Sequence, residues 1–295
     1  MIDGVINVYK EAGFTSHDVV AKLRGILRQK KIGHTGTLDP EAAGVLPVCL
    51  GKGTRLCDML IDKKKTYETV LLLGISTDTQ DTTGTVLKKR EVTCSLEEAE
   101  KAVKGFLGDQ MQVPPMYSAL KVNGKKLYEL AREGVEVERK PRPVHFYEIE
   151  ILDMTLPRIS LRVTCSKGTY IRTLCHDIGE KLGCGAAMEK LVRTRVERFS
   201  LENSHTLEEI ASYAQKNEVM QLVTSVEDMF AHLPSFTCLP SLDKLLLNGN
   251  PIDCKAVTPV SLEGWVRAYD SQGAFIGIYA RKEGSRRYYP VKMFH

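Results

Sequence analysis

Val19, Val20, Leu23, Ile26 and Leu27 recur at helical spacing, with basic residues largely between them. Just ahead of them "TSHD", residues 15–18, has the form of a capping box, so a helix is predicted to start there. Residues 95–98 and 206–209 repeat that signature, the first opening a helix to about Gly105. Ile171, Leu174, Ile178 and Leu182 place another helix after the change of pattern at residues 167–168, and a short one is predicted around 126–132. Strand signals alternate with these helices. "YETVLLLGI" (67–75) reads as a strand buried on both faces, "STDTQDTTG" as a polar turn and "TVLKKR" as the return strand. "YEIEIL" and "RISLRVTCS" read as two more, the second alternating through Ile159, Leu161, Val163 and Cys165. "GCGAAMEKLVRTRVERFSL" predicts a glycine break, a basic helix or turn, and a strand.

Hairpin links outnumber crossover-length ones in places, which predicts an α+β chain with a mixed, largely antiparallel sheet. Pro234 and Pro240 mark a boundary, so we expect one domain over 1–232 and a small β-rich appendage over 234–295. The appendage holds the single tryptophan and a hairpin-like "WVRAYDSQGAFIGIYA". Residues 110–142 form a long excursion with two proline clusters and an Asn-Gly turn at 123–124.

Composition narrows the class. A hydrophobic share of 43% and a charged share of 26% over 295 residues describe an ordinary soluble protein. No apolar run approaches the ~20 residues that span a bilayer, and the start lacks a signal peptide's layout, so a cytoplasmic location is expected. Eight scattered cysteines with no C-x-x-C read as free buried thiols. The net charge of +4 matters less than its placement. Residues 19–38 contain no acid but carry Lys22, Arg24, Arg28, Lys30 and Lys31, and residues 121–142 hold a second basic block. Either block alone reads as a solvated helix face; two of them around one unusual loop point to a polyanion.

That loop is "KKIGHTGTLDPEAAGVLPVCLG", residues 30–51, with no helix or strand period through its first half. "GVLPVCLGKGT" fails as a phosphate loop on spacing, with Gly53 where a magnesium-binding Ser or Thr belongs. His17, His34 and His176 lack zinc-site spacing, and there is no G-x-S-x-G nucleophile elbow. What remains is Asp39, a carboxylate among glycines that a bulky ligand can approach closely. An Asp before Pro is also an ordinary turn former.

"GHTGTLDPEAAGVLPVCLGKGTR" (33–55) closely resembles the catalytic motif of the TruB family of tRNA pseudouridine synthases. "DKKKTYE" (62–68), "QVPPMYSALKVNGKKLYELAREG" (112–134), "CSKGTYIRTLCHDIGEKLGCGA" (165–186) and "LVRTRVERF" (191–199) follow in that family's order and cover most of residues 1–200. One departure is Glu11 in "VYKEAGFTS", where the family usually has proline. The resemblance implies a pseudouridine synthase fold with a PUA-like appendage, and Asp39 as catalytic aspartate, assisted by Arg172 and Tyr67. It implies that Tyr67 stacks on uracil, that Tyr170 and Leu191 line the same pocket, and that His34 fills the place of the extruded base. Lys10, Lys30, Lys31 and Lys121 are expected to complete the substrate-binding set by meeting phosphates, and the resemblance implies 110–142 as a clamp on a tRNA T-stem-loop with position 55 as the target. No cofactor, metal or membrane is implied, and the chain is expected to act as a monomer. The competing readings are an RNA-binding protein without chemistry and a metal-dependent hydrolase acting on RNA.

Overall fold

In the computed structural model, which describes residues 1–61, 63–122, 124–259 and 263–295, a ten-stranded sheet occupies most of the chain before residue 225. It contains β1 (Gly4–Lys10), β2 (Ile32–His34), β3 (Ala43–Leu50), β4 (Lys65–Leu73), β5 (Gly108–Gln112), β6 (Arg142–Thr155), β7 (Arg158–Cys165) and β8 (Ala186–Val196). The two-residue strands Phe199–Ser200 and Val223–Thr224 complete it. From one edge the order is Val223–Thr224, β1, β3, β8, β4, β7, β6, β5, with β2 on β3 and Phe199–Ser200 on β8. Among the described strands of this sheet only the β3–β8 pairing is parallel, so the sheet is mixed and largely antiparallel, as expected. Residue 123 of the expected Asn-Gly turn and residue 62 of the 62–68 motif lie outside the described residues.

The capped helices form where the local chemistry places them. α1 (Ser16–Ile26), α2 (Leu96–Lys104) and α4 (Leu207–Gln215) start from Thr15, Ser95 and Thr206. Each cap hydroxyl accepts from the backbone three residues on, and that residue's carboxylate returns the bond. α3 (Ile171–Lys181) has no side-chain cap and starts behind Tyr170. One core packs α2 and α3 on the sheet through Val103, Leu174 and Ile178 against Leu71, Phe146 and Leu161. Another packs α1 and α4 on β1 and β3 through Val19, Leu23 and Ile210 against Ile6, Leu46 and Val48.

Two expectations are corrected. β4 is not buried on both faces: Lys65, Tyr67, Thr69, Leu71 and Leu73 are buried, while the residues between them are half-buried. On its outer face Glu68 pairs with Arg162 of β7 at 2.9 Å. The basic helix or turn expected near residue 190 is instead the strand β8, bulged between Met188 and Lys190. The bulge turns Leu191 and Arg193 inward while Glu189, Lys190 and Arg195 stay exposed.

After Pro234 a six-stranded sheet holds the predicted hairpin as Gly264–Tyr269 and Phe275–Arg281. Its Ile278 and Phe294 pack with Val5, Val45 and Phe230, and Arg55 donates to the Met293 carbonyl at 2.7 Å. Among the described residues no helix is long and apolar enough to cross a membrane.

β8 crosses the start of β3 with no room for a side chain. Gly44 has φ +111°, and a Cβ there would lie 2.2 Å from the Arg193 carbonyl oxygen. Gly134 also has positive φ, +72°, but open space around it. Gly134→Ala should therefore cost about 1–2 kcal/mol, and Gly44→Ala about 3 kcal/mol or more, measured by urea unfolding. Equal losses would mean that the β3–β8 approach does not constrain the fold.

Candidate active site

The segment 35–42 joins β2 to β3 and carries Asp39. Its backbone is held from several sides. Thr35 donates its N–H and its hydroxyl to the Pro47 carbonyl, each at 3.2 Å. The Leu38 N–H donates to Ser16 Oγ at 2.9 Å, and the Leu38 side chain is buried in the core that holds Tyr67 and Leu191. Beneath the loop lie two buried cations. Lys10 Nζ donates to the carbonyls of Pro40 (2.9 Å), Ala42 (2.6 Å) and Glu11 (3.0 Å). Arg193 Nε donates to the Val45 carbonyl at 2.7 Å and Nη2 to the Gly36 carbonyl at 3.2 Å. The two side chains thus add charged donors to the loop's carbonyls, Pro40's being shared with the Gly13 N–H at 2.9 Å.

Asp39 faces the first turn of α3. Arg172 Nε lies 2.9 Å from Asp39 Oδ2, and Arg172 Nη2 donates to Oδ1 at 3.2 Å, a side-on two-point pair. The remaining donors are also used: Nη1 donates to the Thr79 carbonyl at 3.0 Å and Nη2 to the Tyr117 carbonyl at 2.8 Å. The guanidinium side chain is 5% exposed, whereas the carboxylate side chain keeps 39% of its surface open to an incoming group. Burial pushes the Asp39 carboxyl above its usual range, Arg172 opposes that rise, and the Asp81 carboxylate adds to it.

The structure gathers most of the residues expected at the site. Tyr67 is buried on β4, directly across from Arg193 of β8, and burial raises its hydroxyl to about 12 against the nearby guanidinium. Leu191 lies two residues earlier on β8, in the same core as Tyr67 and Leu38. Tyr170 is half-buried immediately before α3, and burial raises its hydroxyl too. His34 ends β2, half-buried, with its ring edge-on to His17 at 5.3 Å. Burial, His17 and Arg193 all lower its pKa, so its ring is held neutral and suited to stacking. Lys30 and Lys31 are exposed just ahead of β2, and Lys121 is exposed on the small hairpin Lys121–Val122/Lys125–Lys126. Lys10 departs from expectation. It is fully buried under the loop and positions backbone instead of offering a charge at the surface.

Sequence reasoning missed two members of this cluster. Asp81, read only as part of a polar turn, sits 3.8 Å from Arg172 Nη1 and accepts from Thr79 and Thr83. Arg193 was quoted within a motif without a role; its position two residues after Leu191 was the available signal. Two cavities of about 810 and 920 Å³ lie away from Asp39, one lined by Lys64, Arg162 and Glu202, the other by Met59, Phe230 and Trp265.

Comparison with known proteins gives a consistent picture. Residues 24–171 match the TruB family pseudouridylate synthase (N terminal domain), and residues 172–233 match the tRNA pseudouridylate synthase B C-terminal domain. The chain is 50% identical to a tRNA pseudouridine synthase B of Lachnoclostridium phytofermentans over 99% of this chain and 100% of that protein. It is 47% identical to the tRNA pseudouridine synthase B of Clostridium novyi over 95% of this chain and 96% of the other. Among solved structures, a Cbf5–Nop10–Gar1 complex contains a chain that superposes with TM-score 0.73 at 27% identity, covering 99% of this chain and 85% of that one.

The buried Lys10 supplies a test of the loop's construction. Burial lowers its pKa from 10.5 to about 8, and the Asp39 carboxylate pulls the other way. Between pH 8 and 10 the unfolded chain therefore holds a proton at Lys10 that the folded chain has lost, so this residue's contribution to stability rises with pH. The stability of wild type relative to Lys10→Met should increase across that window in paired urea titrations. A difference independent of pH would place the Lys10 ammonium in an ordinary, solvated environment.

Proposed function

The chain belongs to the TruB family of pseudouridylate synthases, and from that membership we propose that it isomerises uridine 55 in the T-loop of tRNA, with Asp39 as the catalytic carboxylate. The reaction breaks the C1′–N1 bond, turns the uracil and joins C5 to C1′; the proton lost from C5 is balanced by one gained at N1, so the product is an isomer of the substrate. The observation that carries the proposal is the pairing of Asp39, still partly open, with the buried fork of Arg172. The fork opposes the rise that burial imposes on the carboxyl and fixes its direction. From that position Asp39 either attacks C1′ or takes a proton from C2′.

In this reading the target nucleotide is flipped out of its loop. Extrusion costs a few kcal/mol, and an aromatic stack returns about 1–3 kcal/mol per base. Tyr67 stacks on the extruded uracil, Tyr170 and Leu191 wall the pocket, and neutral His34 takes the vacated place. The exposed Lys30, Lys31 and Lys121 meet phosphates, with residues 110–142 as the clamp. A single-stranded loop displayed by its stem is the kind of RNA read by shape and splayed bases. Residues 1–232 serve as the catalytic domain, and 234–295 as an RNA-binding appendage of the PUA type. We place the enzyme in the cytoplasm as a monomer working without cofactor or metal. A pure RNA binder would need the cations and the aromatics but not the Asp39–Arg172 pair, and that pair favours the enzyme.

Incubation of the protein with a T-stem-loop transcript in EDTA, followed by nucleoside analysis, should yield pseudouridine at one uridine. Asp39→Asn should keep T-stem-loop affinity near wild type and lose turnover by at least ~10²-fold; near-wild-type turnover would remove Asp39 from its role. Affinity for the stem-loop should fall steeply between low and moderate salt as phosphate contacts release counterions, whereas a flat response would count against the basic clamp.

A further inference from the structure

The geometry points to Gln112 as a positioning residue that sets Arg172 against Asp39 by bonding the backbone of Tyr170. Gln112 ends β5 and is buried, 4% exposed. Its Oε1 accepts the Tyr170 N–H at 2.8 Å, and its Nε2 donates to the Tyr170 carbonyl at 3.0 Å. A side-chain amide thus does for Tyr170 what a neighbouring strand would do. The bond matters because α3 lacks a side-chain cap, which leaves its first N–H groups to find partners outside the helix. Two residues further along α3 comes Arg172.

The same segment touches α3 a second time. Five residues after Gln112, the Tyr117 carbonyl accepts from Arg172 Nη2 at 2.8 Å. Pro114, Pro115 and Met116 between the two contacts are buried, which stiffens the link. After Ser118 the chain runs on into the hairpin that exposes Lys121. The root of the proposed clamp and the start of α3 therefore form one unit, with Gln112 at the end nearer the sheet. Gln112 has no role in the chemistry itself and acts only through the direction of the Arg172 fork. The groups facing Asp39 are Arg172 on α3, Asp81 in the turn after β4 and Lys10 on β1. The Tyr67 and Tyr170 hydroxyls also interact with Asp39, and Gln112 bonds the backbone of Tyr170, not its ring, so its effect on Asp39 runs through the start of α3 and Arg172.

The inference rests on the assignment of Asp39 and Arg172 above. The test is the pH dependence of kcat and the KM for a T-stem-loop, using the full chain. Wild type, Gln112→Ala, Gln112→Glu and Asp39→Asn are compared, with thermal unfolding of each. Gln112→Ala should lower kcat by about 10–100-fold with little change in KM, and should move the acid limb of kcat to higher pH, because a loosened Arg172 opposes the burial-driven rise at Asp39 less. Gln112→Glu keeps the shape and can accept from the Tyr170 N–H, but when ionised it cannot donate to the carbonyl. It should shift the limb in the same direction even if the alanine variant unfolds. Wild-type kcat in both variants, or a loss of activity that tracks unfolding with the limb unmoved, overturns the role of Gln112. Turnover by Asp39→Asn would instead overturn the assignment beneath it, which keeps the two failures distinct.

Discussion

A carboxylate withdrawn from bulk water into a crowded pocket tends to take up a proton. The Arg172 fork is this protein's answer to that tendency, and much of the surrounding structure serves to hold it. Two of its bonds go to Asp39, and the others go to the carbonyls of Thr79 and Tyr117. A planar guanidinium imposes direction on each partner. The loop with Asp39, the turn after β4 and the root of the 110–142 excursion must therefore meet in one place. The pair is a junction of three segments as well as a source of charge.

The loop itself is supported from below by cations instead of hydrocarbon. Lys10 and Arg193 reach carbonyls at Gly36, Pro40, Ala42 and Val45, nearly the whole length of the loop. Burying charge in this way is unfavourable unless every donor finds a partner. An apolar floor would remove these charged bonds and leave the Pro40 carbonyl with only the Gly13 N–H. The same two cations place positive charge behind Asp39, Tyr67 and His34, where it favours an ionised carboxylate and a neutral imidazole. Backbone support and electrostatics are one arrangement here.

The capped helices and several strands were legible in the sequence because their causes are local. Thr15 with Asp18 and Ser95 with Glu98 close their bonds within three residues, whatever the rest of the chain does. Strand environment was harder to read. The apolar run in β4 concealed a half-open outer face, and the arginines of β8 passed for a helix or turn because burial of Arg193 depends on carbonyls from another strand. Lys10 failed as a surface contact for the same reason: nothing adjacent to it in sequence reveals that three carbonyls surround it.

Local order, the positions of the basic blocks along the chain and the presence of an unusual glycine-rich loop follow from the amino-acid sequence, since each depends on neighbours a few residues away. Family motifs added the partners of Asp39, but as a likeness carried by residue patterns and not as geometry. The meeting of Asp39 and Arg172, 133 residues apart, is a product of the tertiary structure, and so are the buried cations under the loop and the hold of Gln112 on α3. Separation along the chain places almost no limit on distance in space. Which charges share a low-dielectric site is therefore decided by the path of the backbone through the sheet.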